Sequence, residues 1–258
     1  MIENEPAYSK SADYYDILYK WKDYQKEATD FLSLSQEILG RPLTSLLDLG
    51  CGTGNHARIF AQQGISIVGV DLSEEEIKIA QKKFDDEGLS AEFVVNNMID
   101  VQLELQFDAA AVFFGGFGYL LTDMEVIQFL NNLHRLVKPD GFLFFEFWHT
   151  LGIKPNTSHY NIAKEEKTQI IRVNTTQFDI MTGIATMPMK HFVFHDKILT
   201  DEFTETHQIR TYTIPQLKSL VQQSPWKSSH IIGNYSEYKE ERKPKWDDFR
   251  LFAILIRK

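Results

Sequence analysis

The stretch LLDLGCGTGNHARIF, residues 46–60, holds the first residues whose types and spacing suit chemistry. Gly50, Gly52 and Gly54 alternate with Cys51 and Thr53 where an apolar run gives way to a helical pattern. A backbone without side chains turns tightly and admits a ligand to van der Waals distance. A plain strand-to-helix turn would ask for the same glycines, so the neighbours decide. Asp48 stands two residues before Gly50, at the end of the apolar run. The next apolar run, ISIVGV, ends in Asp71-Leu72, an acid placed to accept both hydroxyls of a ribose lying across strand tips. A third run leads into Asn96-Asn97-Met98, where Asn97 offers an amide to a base and Met98 an apolar surface to its face. Order and spacing together predict capture of a nucleoside. A dinucleotide fingerprint would need glycine where Asn55 stands, which argues against a nicotinamide oxidoreductase.

A second group of residues is aromatic. Tyr8, Tyr15 and Tyr24 punctuate the N-terminal arm, FFGGFGY (113–119) follows one apolar run, and Phe147-Trp148-His149 follows another. Ring faces attract a cation and exclude water from a displacement that disperses its charge. Phe113, Phe144 and Phe147 also suit core packing; Tyr8, Tyr119, Trp148 and His149 carry polar atoms beside glycines or strand ends. Cys51, the single cysteine, reads as a small packing residue of the loop and excludes an internal disulfide. The eight histidines form neither H-x₃-H nor H-E-x-x-H, so no metal site is expected. A formal charge of −9 disfavours a grip on nucleic acid. The mixed-sign run KEERKPK (239–245) reads as a solvated loop. The first residues lack the basic start and apolar core of a signal peptide, and no apolar run is long enough to cross a bilayer, so a cytoplasmic protein is expected.

These residues need elements to hold them. Residues 12–39 carry apolar positions at helical spacing, stopped by Gly40-Arg41-Pro42. Strands over 46–49, 65–70, 91–95, 107–114 and 141–148 then alternate with helices over 55–63, 73–87 and 123–137. Ser73 and Glu76 have capping-box spacing, and Pro139-Asp140-Gly141 reads as a turn. Alternation with near-continuously apolar strands means an α/β fold, a mostly parallel sheet covered by helices on both faces. From about 151 the texture changes to β-branched alternation without helices (167–213), an antiparallel insertion. A helix at 214–223 and strands at 228–235 and 249–257 close the chain. On ETHQIRTYT, period two puts Glu205, His207 and Ile209 on one face and Thr206, Gln208 and Arg210 on the other. A polar face at the surface or an interface is the expectation. Binding of an acceptor phosphate is the sharper alternative, with Arg172 read the same way.

The run DLGCGTG, the acid of VGVD and the pair Asn97-Met98 resemble the class I S-adenosylmethionine-dependent methyltransferases, from roughly Tyr8 to the C-terminus. The resemblance implies a Rossmann-like fold with a seven-stranded sheet. It divides the chain into an N-terminal helical lid (1–42), a cofactor domain (43–150), an insertion shaping the acceptor pocket (151–213) and a C-terminal helix and strands (214–258). It implies S-adenosyl-L-methionine as cofactor, with S-adenosyl-L-homocysteine as product. Asp48, Gly50, Cys51, Gly52 and Gly54 form the loop under the methionine part, Asp71 with Leu72 the ribose site, and Asn97 with Met98 the adenine site. Tyr15, Tyr24 and Phe113 close over the cofactor, Tyr24 reaching its carboxylate.

The arm tyrosines, FFGGFGYL, EFW and ETHQIRTYT resemble one subgroup, the N,N-dimethyltransferases of dTDP-linked aminosugars such as desosamine. That subgroup has an arm Tyr and a His after the fourth strand beside the acceptor amine. Tyr8 matches the first, and Tyr119 stands where the His would be, so proton acceptance moves to His149 or a water. The acceptor-positioning residues are then Tyr8, Tyr119 and His149. A small-molecule amine is the expected acceptor, with O-methylation or protein methylation as alternatives and a non-catalytic binding module as a different class. No membrane or nucleic-acid partner is expected; a homodimer is compatible with the reading.

Overall fold

The computed structural model describes residues 4–5, 7–226, 228–234 and 243–257. The N-terminal arm is not one helix. It begins with β1 (Asn4–Glu5), passes a 3₁₀ turn at Ser11–Tyr14 and α1 (Tyr15–Leu18), and restarts as α2 (Tyr24–Leu39). Asp23 breaks the run by accepting the Lys26 N–H at 2.8 Å, an N-cap in the middle of the expected 12–39 helix.

The alternating half of the chain follows as β2 (Ser45–Leu49), α3 (Asn55–Gln62), β3 (Ser66–Asp71), α4 (Glu74–Glu87), β4 (Glu92–Val95), β5 (Phe107–Val112), α5 (Asp123–Leu136) and β6 (Val137–Trp148). The expected turn at Pro139-Asp140-Gly141 lies inside β6, where Asp140 takes φ 63° and the register against β5 shifts. A wide irregularity replaces the turn because both flanks keep pairing with β5.

The insertion is β7 (Ser158–Glu165), β8 (Thr168–Thr175), β9 (Gln177–Asp179), β10 (Ile184–His195) and β11 (Ile198–Arg210). The chain returns through α6 (Ile214–Gln222), β12 (Ser228–Ile232) and β13 (Arg250–Ile256). Of the expected 228–235 strand, Tyr235 lies outside the described residues, as do 239–242 of the mixed-sign run.

Seven strands form one sheet in the order β12-β13-β6-β5-β2-β3-β4, parallel from β6 to β4 and antiparallel where β13 joins β6 and β12 joins β13. Period two divides its side chains between two cores. Leu46, Ala109, Ala111, Phe142 and Phe144 face α2 and α3 with Phe31 and Phe60; Leu47, Ala110, Val112, Leu143 and Phe145 face α5 and α6 with Phe129, Leu133 and Leu217. The insertion is a second sheet, β1-β11-β10-β8-β7 with β9 on β10. Its edge strand is supplied by the arm, since β1 pairs parallel to β11 with Glu5 opposite Glu205. Among the described residues no helix is long and apolar enough to cross a membrane, and no group of three or more His, Cys, Asp or Glu is poised to hold a metal.

Candidate active site

The three alternating glycines connect β2 to α3 with φ of 66°, 55° and 76°, the left-handed region that side chains disfavour. The loop folds against the tip of β3: the N–H groups of Gly50 and Cys51 donate to the Val70 carbonyl at 2.7 and 3.1 Å. Asp71 ends β3, its Oδ2 accepting the Gly52 N–H and its Oδ1 the Ser73 N–H, each at 2.9 Å. Burial pushes the Asp71 carboxyl up, against these N–H groups, which favour the anion. A carboxylate so held keeps lone pairs for further donors.

Ser73 caps α4 by accepting the Glu76 N–H at 3.2 Å, but the capping box does not close. The Ser73 N–H is already given to Asp71, so the Glu76 side chain turns inward. It is 3 % exposed and lies so that a Cβ on Gly52 would meet its Oε2 at 3.5 Å. Burial, and then the charges of Asp71, Asp16 and Glu205, raise its carboxyl to about 9. Glu76 therefore faces the glycine loop, a placement that the capping signature hid. Asp48, 1 % exposed, lies under the loop and is raised to about 7 by burial and by Asp71.

Among the described residues, Asp48 Oδ2 and Glu76 Oε1 are buried near the loop without a hydrogen-bond partner, and Tyr24 Oη lies beside Tyr15 and Asn55. Leaving such atoms unpaired costs about 1–3 kcal/mol each. Two buried acids and a hydroxyl donor fit a ligand that carries positive charge, hydroxyls and a carboxylate, as S-adenosylmethionine does. A cavity lies against the loop, lined by Tyr15, Tyr24, Cys51, Thr53, His56 and Phe113 among others. The arm closes over it: Asp16 accepts from Thr53 Oγ1 and Asn55 Nδ2 at 2.8 Å each and pairs with Lys83 at 2.6 Å.

The remaining cofactor-side expectations fall as follows. Leu72 is 71 % exposed at the strand tip, a free apolar surface. The Asn97 Oδ1 accepts the Ile99 N–H at 3.0 Å, leaving its amide N–H groups outward, while Met98 packs against the α5-side core. Phe113 stacks on His56 with centroids 4.5 Å apart, a core residue whose edge lines the cavity. Burial raises the Cys51 thiol well above its ordinary range, so it stays protonated. Tyr15 is likewise raised by burial and by Tyr24, and packs 6.1 Å from the Tyr8 ring.

Of the residues expected to position the acceptor, Tyr8 comes from the arm and Tyr119 from the 3₁₀ turn Gly116–Tyr119 after β5. Their hydroxyls lie 3.0 Å apart, and burial raises both phenols. His149 does not join them. Its Nδ1 lies 3.3 Å from the Asp248 carbonyl and its backbone bridges to Tyr212, because the residue after β6 turns into the seam with β13. A different histidine arrives: His207 of β11 places Nδ1 2.6 Å from Tyr119 Oη. The Glu205–His207–Ile209 face is therefore interior, with Glu205 0 % and His207 3 % exposed. Glu205 gathers the N–H groups of Tyr8, Lys10 and Ser11 and the Ser11 hydroxyl, fastening the arm to the insertion. Arg172 donates to Tyr19 Oη at 2.9 Å and Arg210 pairs with Asp123.

Residues 46–141 match a family model described as a methyltransferase domain. The chain is 26 % identical over 240 residues to a putative methyltransferase of Geobacillus sp. (strain WCH70), covering 90 % of this chain and 93 % of that protein. It is 28 % identical over 188 residues to dTDP-3-amino-3,4,6-trideoxy-alpha-D-glucopyranose N,N-dimethyltransferase of Streptomyces venezuelae, covering 72 % and 76 %. A crystal structure of a S-adenosylmethionine-dependent methyltransferase from Clostridium acetobutylicum superposes with a TM-score of 0.82 at 19 % identity, over 96 % of this chain and 98 % of that one. With the glycine loop, the acid that ends β3 and the seven-stranded sheet in place, this chain is an S-adenosylmethionine-dependent methyltransferase that resembles the class I enzymes and their dTDP-aminosugar N,N-dimethyltransferase subgroup.

Proposed function

We propose that this chain methylates an amine nitrogen of a small, aminosugar-like acceptor. The observation that carries the reading is the Tyr8–Tyr119 hydroxyl pair, 3.0 Å apart, enclosed between the arm, the turn after β5 and the inner face of the insertion. The Tyr8 ring lies 6.1 Å from that of Tyr15, which lines the cavity at the glycine loop, and this proximity supports an acceptor held next to the cofactor. Bound there, the cofactor supplies a methyl group on a sulfonium. The chain's own work is to orient a neutral amine and keep its lone pair free. Paired phenolic hydroxyls suit that task, since they hydrogen-bond an N–H without competing for the lone pair. The named relatives that methylate amino groups of dTDP-sugars support the same acceptor class.

In this reading Gly50, Gly52, Gly54, Asp48 and Cys51 hold the methionine part, Tyr15, Tyr24 and Phe113 close over it, Asp71 and Leu72 hold ribose, and Asn97 and Met98 border adenine. The test is to incubate the protein with S-adenosylmethionine and a panel of nucleotide-linked and free aminosugars, with the matching hydroxyl sugars and a protein pool alongside. Mass spectrometry should find methyl groups on amine nitrogens. Transfer confined to hydroxyl sugars or to protein would overturn the reading.

A further inference from the structure

We infer that His207, held between Tyr119 and Glu205, is the terminal proton acceptor for the acceptor amine, reached through a hydroxyl relay from Tyr8 to Tyr119. This rests on the amine reading above and goes beyond it in naming where the proton goes.

The geometry is a continuous line. Tyr8 Oη and Tyr119 Oη are 3.0 Å apart, Tyr119 Oη and His207 Nδ1 are 2.6 Å apart, and His207 Nε2 stands 3.6 Å from Glu205 Oε2. The Tyr8 ring also meets the His207 ring edge-on at 4.8 Å. Each hydroxyl donates one hydrogen and accepts others, so the line has two polarities. With neutral His207, Tyr8 donates to Tyr119 and Tyr119 to Nδ1. With protonated His207, Nδ1–H donates to Tyr119 and Tyr119 to Tyr8. The second state is the first after one proton has passed. The N–H bond of the acceptor ammonium breaks and leaves its electron pair on nitrogen. The proton bonds to Tyr8 Oη, the Tyr8 proton to Tyr119 Oη, and the Tyr119 proton to His207 Nδ1. No charge rests on a phenol, which suits tyrosines whose ionisation burial opposes.

A carboxylate faces this imidazole, with Glu205 Oε2 3.6 Å from His207 Nε2. Glu205 is on the same strand and stays ionised, its desolvation outweighed by the nearby His207 imidazole and by hydrogen bonds from Ser11. His191, on β10, is held neutral by burial and stacks on Phe203 at 4.6 Å. Tyr8 faces His207 from the arm and Tyr119 from the turn after β5, and the charges of Glu76 on α4 and Asp71 on β3 act on Tyr119. Because Glu205 also binds the arm's N–H groups, the relay is assembled only when the arm carrying Tyr8 is docked.

The experiment is a kcat–pH profile on the aminosugar acceptor for the wild type, His207→Gln and Tyr119→Phe, with the cofactor-product affinity measured beside it. The expected result is a drop in kcat on the order of 10²-fold or more at neutral pH in both variants, with the acidic limb of the profile lost. S-adenosylhomocysteine affinity should hold. A wild-type acidic limb in His207→Gln would overturn the proposal. A second measurement needs no turnover: nitrogen NMR of His207 in the wild-type protein loaded with S-adenosylhomocysteine. It should report the Nε2–H tautomer with a hydrogen-bonded Nδ1, and Tyr119→Phe should shift Nδ1. An Nδ1–H neutral tautomer, or no response to Tyr119→Phe, would sink the relay. If the NMR signature is present and no amine is methylated by the wild type, the amine reading fails and the proton role fails with it; if amines are methylated without the signature, the relay alone fails.

Discussion

Asp71 commits its two oxygens to the N–H groups of Gly52 and Ser73 and keeps lone pairs for further donors, as the proposed ribose role requires. Asp71→Ala should therefore weaken S-adenosylhomocysteine binding by about 1.5–3 kcal/mol, seen by calorimetry as a loss of roughly ten- to a hundredfold. Tyr119→Phe removes a hydroxyl on the acceptor side and should leave that affinity within error while lowering acceptor turnover. Loss of cofactor binding in Tyr119→Phe would mean that the two halves of the pocket are not separate. Asp71 is legible in the sequence because an acid ending the second strand has one place to point. Glu76 is not, because Ser-x-x-Glu is the same string whether the box closes or not. The deciding fact is that Asp71 takes the Ser73 N–H, a contact between β3 and α4 that no local pattern contains. His207 was hidden differently: period two gathers Glu205 and His207 on one face without saying which face is inside.

The parallel half of the sheet follows from short apolar runs separated by capped helices, and Gly40, Gly64 and Gly88 end their segments with positive φ as such residues do. The arm resists this kind of reading. Its tyrosines sit at helical spacing, yet Tyr15 and Tyr24 line the cavity and Tyr19 packs on Tyr15, with ring centroids 4.6 Å apart. Contacts of the arm with the glycine loop and with β11 outweigh helix continuity, and Asp23 restarts the helix past the break. Those contacts predict how the arm behaves. Asp16 joins Thr53, Asn55 and Lys83, and charge-assisted bonds of this kind contribute about 1.5–3 kcal/mol each when buried, less at a half-exposed site. Asp16→Ala should raise the population with the arm undocked on the order of tenfold. Trypsin cleavage after exposed Lys20 should accelerate by the same factor, and S-adenosylhomocysteine should slow it again. Unchanged cleavage would show that Glu205 alone holds the arm.

Across the whole molecule, two groups of acids pull stability in opposite directions with pH. At the strand starts Asp108 is 0 % exposed yet accepts from Arg41, Thr44 and Lys138, which hold its carboxyl well below the usual range despite burial. Glu27, between Lys22 and His56, is lowered to about 2 by His56 and Lys22 against its burial. Both favour the folded state once the unfolded carboxylates ionise near pH 4, and that gain is lost in acid. For three other buried acids the shifts are reversed: burial raises Asp48 and Glu146 to about 7 and Glu76 to about 9. The folded chain keeps protons there that the unfolded chain has released, so stability declines as pH rises from about 4 towards those values. Buried His56 and His191, the latter at about 4, oppose this decline below about pH 6.5, where the unfolded histidines take up protons that the folded ones refuse. The cofactor-free protein should therefore show a melting temperature that climbs out of acid, levels off between about pH 5 and 6.5, and falls steadily to pH 9. Glu76→Gln should melt higher than the wild type at pH 8 and match it near pH 4. S-adenosylmethionine brings a sulfonium to these acids and should release protons on binding, measurable as a heat that scales with buffer ionisation enthalpy. The neutral thioether of S-adenosylhomocysteine should release fewer. A melting temperature that stays level from pH 6.5 to 9, or a proton release equal for the two ligands, would mean that Asp48 and Glu76 are already ionised in the empty site and do not read the cofactor's charge.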